Sequence, residues 1–338
     1  MDLISESPEA QDFLQTVVSE IDRYKRFPDE KFAQIVTGVL ASSGVDLQRE
    51  ELALEALTQI AADINERSIW MRVEHNPLNP PVGRVLAARV FYAPASDLYF
   101  VAGVIGQYDG GRLPTFRDVG VDASALPEEH ECDLPKESIG ARIVFNPHEL
   151  SSTVIEAMLE GAPDIVTSEA GQVRRKAAEP PPILTLVVSA WLLTRNPFSK
   201  KFLEKLGEQS AQSVIDYFSW LKNKLARQIA KLNRKTLIVW DMPYNGCRVE
   251  FVIASSELAV LLDAIDSLPS AGNSAVAVVK QMEALGIEKL VYEYDVSVKK
   301  WLPLHAATRL AGVVSDRPYL IALDQFRGFS IGVTLPEQ

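Results

Sequence analysis

Through roughly the first sixty residues, apolar positions recur at the spacing of an amphipathic helix. Ser7-Pro8-Glu9 supplies an N-cap, a first-turn proline and a first-turn acid, and Phe13, Val17, Val18 and Ile21 follow at helical intervals. The spacing predicts a second helix, capped by Asp29, with Phe32, Ile35, Val36, Val39 and Leu40 on its apolar face. A third is expected after Asp46, with Leu52, Leu54, Leu57 and Ile60 facing inward. Beyond Arg67 the period shortens. Ile69 to Val73, Val85 to Tyr92, Leu98 to Ile105 and Ala141 to Phe145 read as strands, the middle two forming an antiparallel hairpin. A helix from Ser152 to Glu160, closed by Gly161, completes a first module of helices on a small antiparallel sheet, residues 1–162.

Residues 163–182 lack apolar periodicity and end in three prolines, the composition of a semi-rigid linker. A second module is expected over 183–338. It opens on the apolar run Ile183 to Thr194 and continues into a long helical pattern from about Ser199 to Leu232, where Gly207, Ala211, Val214, Phe218, Leu221 and Leu225 form a heptad seam that Ile229 and Leu232 break. Asn245-Gly246 between Thr236 to Tyr244 and Cys247 to Ala254 is the preferred type I′ hairpin pair. Two helices, from Ser255 or Ser256 to Leu268 and from Ser274 to Leu285, precede more β-rich sequence from Leu290 onward. The expected fold class is therefore α+β: N-terminal helices on a small antiparallel sheet, then a long helix packed on a second antiparallel sheet.

Composition narrows this picture without redirecting it. An apolar share of 47% and a charged share of 23% are those of an ordinary globular chain. Two cysteines, Cys132 and Cys247, fall on different expected modules, so no disulfide framework or four-ligand zinc site is expected, and a reducing, cytoplasmic setting fits. The acidic start lacks the basic-then-apolar order of a secretory signal. As a helix, Ile183 to Thr194 covers only about 18 Å of a roughly 30 Å hydrocarbon core.

Charge changes the picture more. The net charge is −11, yet residues 181–235 hold ten bases against three acids, between an acidic first half and an acidic C-terminal portion. Lys200, Lys201, Lys205, Lys222, Lys224, Arg227 and Lys231 accompany the seam, followed by Arg234 and Lys235. Four of the helical bases fall near the helix C-terminus, where the dipole favours cations, so a solvated, charge-complemented helix end accounts for them without any ligand. The same stretch suits an acidic partner or an anionic membrane surface; acidic flanks and few interleaved aromatics weigh against nucleic acid.

The chain has no P-loop, Rossmann, zincin or nucleophile-elbow sequence. His130-Glu131-Cys132-Asp133 is its one compact reactive cluster; an extended backbone would put His130 and Cys132 on one face, as a nucleophile pair or metal ligands require. The surrounding acids and prolines read instead as a solvated loop, and carboxylates raise a thiol's pKa, the wrong direction for a nucleophile. His148, just before the Ser152 helix, would be held neutral by the helix dipole if it acted. Asp109-Gly110-Gly111 beside Arg112 reads as a turn. No cofactor or metal is expected. The expectation is a non-enzymatic regulatory or interaction protein that self-associates, or docks a protein partner, through Phe218, Leu221, Leu225, Lys222, Lys224, Arg227 and Lys231. A membrane-surface effector using residues 183–194 and the basic helix is one alternative, and a hydrolase using Cys132 and His130 another.

Overall fold

A computed structural model describes residues 2–26, 30–45, 51–66, 69–71, 76–108, 113–121, 140–147, 149–170, 182–194 and 208–316. The chain mixes helix and sheet and divides into two compact units, the first built on Met1–Leu113 and the second on Pro114–Arg309 with Val313–Arg317. The break thus precedes the proline-rich stretch expected to separate the modules. Ala141–Phe145, Ser152–Leu159 and Val166–Ala170, assigned from sequence to the first module and the linker, belong to the second sheet. Residues 171–181 lie outside the described set.

In the first unit a four-stranded antiparallel sheet, in the order β1-β4-β3-β2, is formed by β1 (Phe32–Ser42), β2 (Ile69–Met71), β3 (Gly83–Ala93) and β4 (Leu98–Tyr108). Helix α1 (Pro8–Ser19) buries Ala10, Leu14 and Val17 against Leu86, Phe91 and Phe100. Helix α2 (Leu54–Glu66) buries Leu57, Ala61 and Ile64 against Val85, Ala88 and Val101. Adjacent residues of one strand point to opposite faces, so the two helices cover opposite sides of the sheet. The helix expected after Asp29 is instead strand β1. Its cap Asp29, and the cap Asp46 of the next, lie outside the described residues.

A buried ion pair, Arg84 with Glu30, ties strand β3 to the segment before β1. Arg84 reaches Glu30 with two nitrogens, Nε and a terminal nitrogen each 2.7 Å from a carboxylate oxygen, and both side chains are almost fully buried. The Arg26 N–H (2.9 Å) and the Tyr108 hydroxyl (3.1 Å) donate to the same carboxylate, and Arg84 also donates to the Tyr24 carbonyl. The buried charges are therefore each satisfied several times over, the condition under which such a pair is tolerated.

The second unit is an eight-stranded sheet in the order β12-β11-β10-β9-β8-β7-β5-β6. Its strands are β5 (Ala141–Phe145), β6 (Val166–Ala170), β7 (Ile183–Val188), β8 (Thr236–Tyr244), β9 (Cys247–Ser255), β10 (Ile287–Asp295), β11 (Lys300–Thr308) and β12 (Gly312–Ser315). The sheet is mixed rather than purely antiparallel. β5 and β6, β7 and β8, and β9 and β10 pair in parallel, each pair joined through a helix, because parallel neighbours need a crossover. The crossover elements are α3 (Ser152–Leu159), the run from α4 (Ala190–Leu193) through α5 (Glu208–Trp220), a π turn (Leu221–Leu225) and α6 (Ala226–Lys231), and α7 (Leu258–Gln281). The β8–β9 hairpin turns at Asn245-Gly246 as expected, with φ of 48° and 73°, the two positive values a type I′ turn demands.

Helix α7 is one element where sequence suggested two. Pro269 sits inside it, and Asn273 bonds the Pro269 and Thr194 carbonyls, both at 2.9 Å. Gly272 lets α7 meet the chain at α4: a Cβ there would stand 2.9 Å from the Leu193 carbonyl oxygen. The apolar run from Ile183 becomes β7 and the single turn α4, with Leu184, Leu186, Val188, Trp191, Leu192 and Leu193 buried. Among the described residues no helix is long and apolar enough to cross a membrane.

Candidate functional site

The long basic helix is present over Glu208–Lys231, about 36 Å at 1.5 Å per residue; the stretch 195–207 lies outside the described residues. Its apolar seam faces inward. Val214, Tyr217, Phe218, Leu221, Leu225 and Ile229 are each 0–2% exposed within one chain. Phe218, Leu221 and Leu225 are thus core residues and have no free surface with which to bind a second copy. The π turn lies where the heptad register breaks in sequence: a wider turn rotates the following segment so that Leu225 and Ile229 both stay on the core side.

Trp220, beside the π turn, donates its indole N–H to the Met158 carbonyl at 2.9 Å and thereby pins the helix to the end of α3. Around this point a pocket of about 290 Å³ opens between the helix and the chain following α3. It is lined by Gly161, Pro163, Asp216, Ser219, Trp220, Asn223 and Lys224. Asp216 accepts a 2.7 Å bond from Gln212, and Asn223 donates to Ser219 at 3.2 Å. Lys224 pairs with Glu160 at 3.0 Å, with both side chains well exposed (40% and 72%), which makes the pair weak and exchangeable.

The other described cations of the helix, and the two that follow it, divide into two groups. Lys222 is turned to Asp266 on α7, and Arg234 donates to the Glu149 carbonyl; these two lock the helix to its own unit. Arg227, Lys231 and Lys235 are exposed and have no ion-pair partner among the described residues. Arg227 and Lys231 are four residues apart, hence on one side of α6, and Lys224 precedes them by three. A cationic ridge thus runs from Lys224 at the pocket wall through Arg227 to Lys231, the last two without an ion-pair partner among the described residues, on a chain whose net charge is −11.

A second cluster of charge lies within the sheet. Trp240 packs edge-on against Trp301, whose indole N–H bonds the Ala264 carbonyl of α7 at 3.0 Å, so Trp240 faces the helices and Asp241 the opposite side. Asp241 stands opposite Glu250 across the β8–β9 ladder. Arg248 bridges the two, 2.8 Å from Asp241 and 3.3 Å from Glu250, and Lys289 joins Glu250 from β10. Burial pushes the Asp241 carboxyl above its ordinary value, Arg248 pulls it back and Glu250 adds to the rise. A raised native value means a contribution to stability that is complete below the ordinary carboxylate pKa and lost as pH rises through the native one. Asp241→Asn is accordingly expected to gain melting temperature relative to the unsubstituted chain on going from pH 4 to pH 7. Thermal scans across that range check it, and a constant difference contradicts it.

Cys132, His130 and His148 lie outside the described residues, as do Asp109 to Arg112 and His75. His305 is buried on β11, opposite Val291. Cys247 is 2% exposed, and burial pushes its thiol up to about 12, far from a nucleophile's range. No group of three or more His, Cys, Asp or Glu among the described residues is placed to hold a metal ion. Sequence reasoning singled out neither Asp241, Glu250, Arg248 and Lys289 nor Glu30 and Arg84; for all but Glu30, which precedes β1, a charge inside an otherwise apolar strand run was the available signal.

Comparison with protein-family models, with curated proteins and with solved structures found no match.

Proposed function

We propose that this is an interaction protein whose second unit docks an anionic partner on the solvent face of α5 and α6. The observation that carries this reading is the asymmetry of the helix. Its apolar seam is consumed by the protein's own core and Lys222 and Lys224 by ion pairs, whereas Arg227 and Lys231, with Lys235 just beyond the helix, remain exposed and unpaired among the described residues. Like charges gathered without compensation are unfavourable for the isolated chain, and opposite charge supplied by a partner relieves the repulsion while speeding encounter. Self-association through the seam has no such support, because Phe218, Leu221 and Leu225 are internal. A membrane-surface role for 183–194 lacks support for the same reason, since Leu184, Leu186, Val188, Trp191, Leu192 and Leu193 are in the core.

A strong cation exchanger at neutral pH tests the reading. Away from such a ridge, a chain of net charge −11 flows through. At low ionic strength, where the Debye length is about 30 Å, the full chain is expected to be retained, and the Arg227→Glu/Lys231→Glu chain to pass through. Wild-type chain in the flow-through, or equal retention of both, overturns it.

A further inference from the structure

We infer that the anion recognised by this face is an acidic segment of another protein, one of whose carboxylate side chains takes Lys224 from Glu160 at the edge of the pocket beside the π turn. The inference rests on the docking role proposed above and adds the chemistry of the partner.

The signs along the helix decide between the classes of polyanion. Cations are not spread over a flat patch; they lie in a line along one helix. Carboxylates sit among them: Asp216 lines the pocket, and Glu160 is 3.0 Å from Lys224. Duplex DNA presents one negative charge about every 1.7 Å, and an anionic bilayer presents a continuous sheet of them, so either would press phosphates against those carboxylates. A protein segment can place carboxylates where the cations are and neutral residues where the acids are. Among the described residues no aromatic stacking platform accompanies the ridge, because Tyr217 and Trp220 are buried.

Spacing agrees. Arg227 and Lys231 are separated by a rise of about 6 Å along the helix. Alternate residues of an extended chain are separated by about 6.6 Å. An extended segment with an acid at every second position therefore meets both cations with side chains from one of its faces. The pocket, about 290 Å³, is lined by the Trp220 indole, the polar groups of Ser219 and Asn223 and the Asp216 carboxylate, which suits a neutral side chain of the segment beside the carboxylate that meets Lys224. Glu160 occupies Lys224 in the free protein through a well-exposed pair, which a competing carboxylate displaces at little cost.

Fluorescence anisotropy of the full chain with three labelled probes tests this: an alternating Glu-Ser peptide, single-stranded DNA, and phosphatidylserine vesicles, at about 0.15 M salt. The peptide is expected to bind, the other two not. Arg227→Glu/Lys231→Glu should weaken the peptide by about tenfold or more, with an unchanged melting temperature because both residues are exposed and unpaired among the described residues. Glu160→Gln, which removes the internal competitor, should tighten it by about twofold, an effect that a purely structural Glu160 does not produce. Tighter binding of DNA or vesicles, no peptide binding, indifference to the double reversal, or weakening by Glu160→Gln each overturns the inference. Retention on the cation exchanger together with any of these results would leave the broader docking role standing.

Discussion

Leu221→Glu is expected to unfold the second unit. Leu221 is fully buried at the start of the π turn, where the helix lies between α3 and α7. Losing a buried leucine side chain costs about 2–5 kcal/mol in comparable cores, and a carboxylate without a partner in the same place adds a desolvation penalty of several kcal/mol. The sum is comparable with the whole stability of an ordinary domain, about 5–15 kcal/mol. Near-ultraviolet circular dichroism should show the loss of fixed tryptophan environments, since Trp191, Trp220, Trp240 and Trp301 are all buried in this unit. If the seam instead joined two copies, Leu221→Glu would yield a folded chain of lower mass with an unchanged melting temperature, and that result would contradict the buried assignment.

Glu30→Ala should destabilise the first unit by about 3–5 kcal/mol, the usual cost of leaving a buried counter-charge uncompensated. Here the orphan is the Arg84 guanidinium, which loses both 2.7 Å contacts, while the Arg26 N–H and Tyr108 hydroxyl lose their acceptor. Hydrogen exchange in peptides from β3 and β4 should speed up accordingly. The Glu30→Leu/Arg84→Met pair separates charge from packing: it should recover much of the loss, because two apolar side chains leave nothing ionised in the interior. Equal loss in the single and double variants would mean that shape, and not charge, governs the position.

Several elements were legible in the order of residues because one local rule determined each. Asn245-Gly246 between two alternating runs specified its hairpin, and Ser7-Pro8-Glu9 marked the start of α1. Strand β1 was not legible. Its apolar residues fall at 32, 35, 36, 39 and 40, a helical spacing, yet Phe32, Ile35 and Val39 pack toward α1 while Val36 and Leu40 pack toward α2. A strand covered on both faces needs apolar residues of both parities, and irregularities in register at Phe32/Gln34 and Val39/Ala41 complete the imitation of a helix. The β-branched residues Ile35, Val36, Thr37 and Val39 were the contrary signal.

Topology was hidden for a different reason. Strand-helix-strand order does not say whether the second strand joins its predecessor in parallel, and the β9–α7–β10 pairing depends on contacts distant in sequence. Pro269 reads as a helix break, yet α7 passes through it, with Asn273 supplying a side-chain bond to its carbonyl. The candidate site was half legible. Charge counting located the cationic stretch, because uncompensated charge is a property of composition. The seam beside it could not be assigned from periodicity, since a heptad stripe buried in its own unit and one buried against a second copy have the same pattern. Burial of Phe218, Leu221 and Leu225 assigns the seam to the chain's own core, and the exposed cations are the face proposed to dock a partner.

The most direct measurement of that claim is a charge swap across the docking face. The Arg227→Glu/Lys231→Glu chain is titrated with alternating Glu-Ser and alternating Lys-Ser peptides, beside the unsubstituted chain. The ridge predicts that each chain binds only the peptide of opposite sign, so that the reversed chain loses the acidic peptide and gains the basic one. Acidic-peptide binding that survives reversal, or a basic peptide that fails to bind the reversed chain, would contradict it.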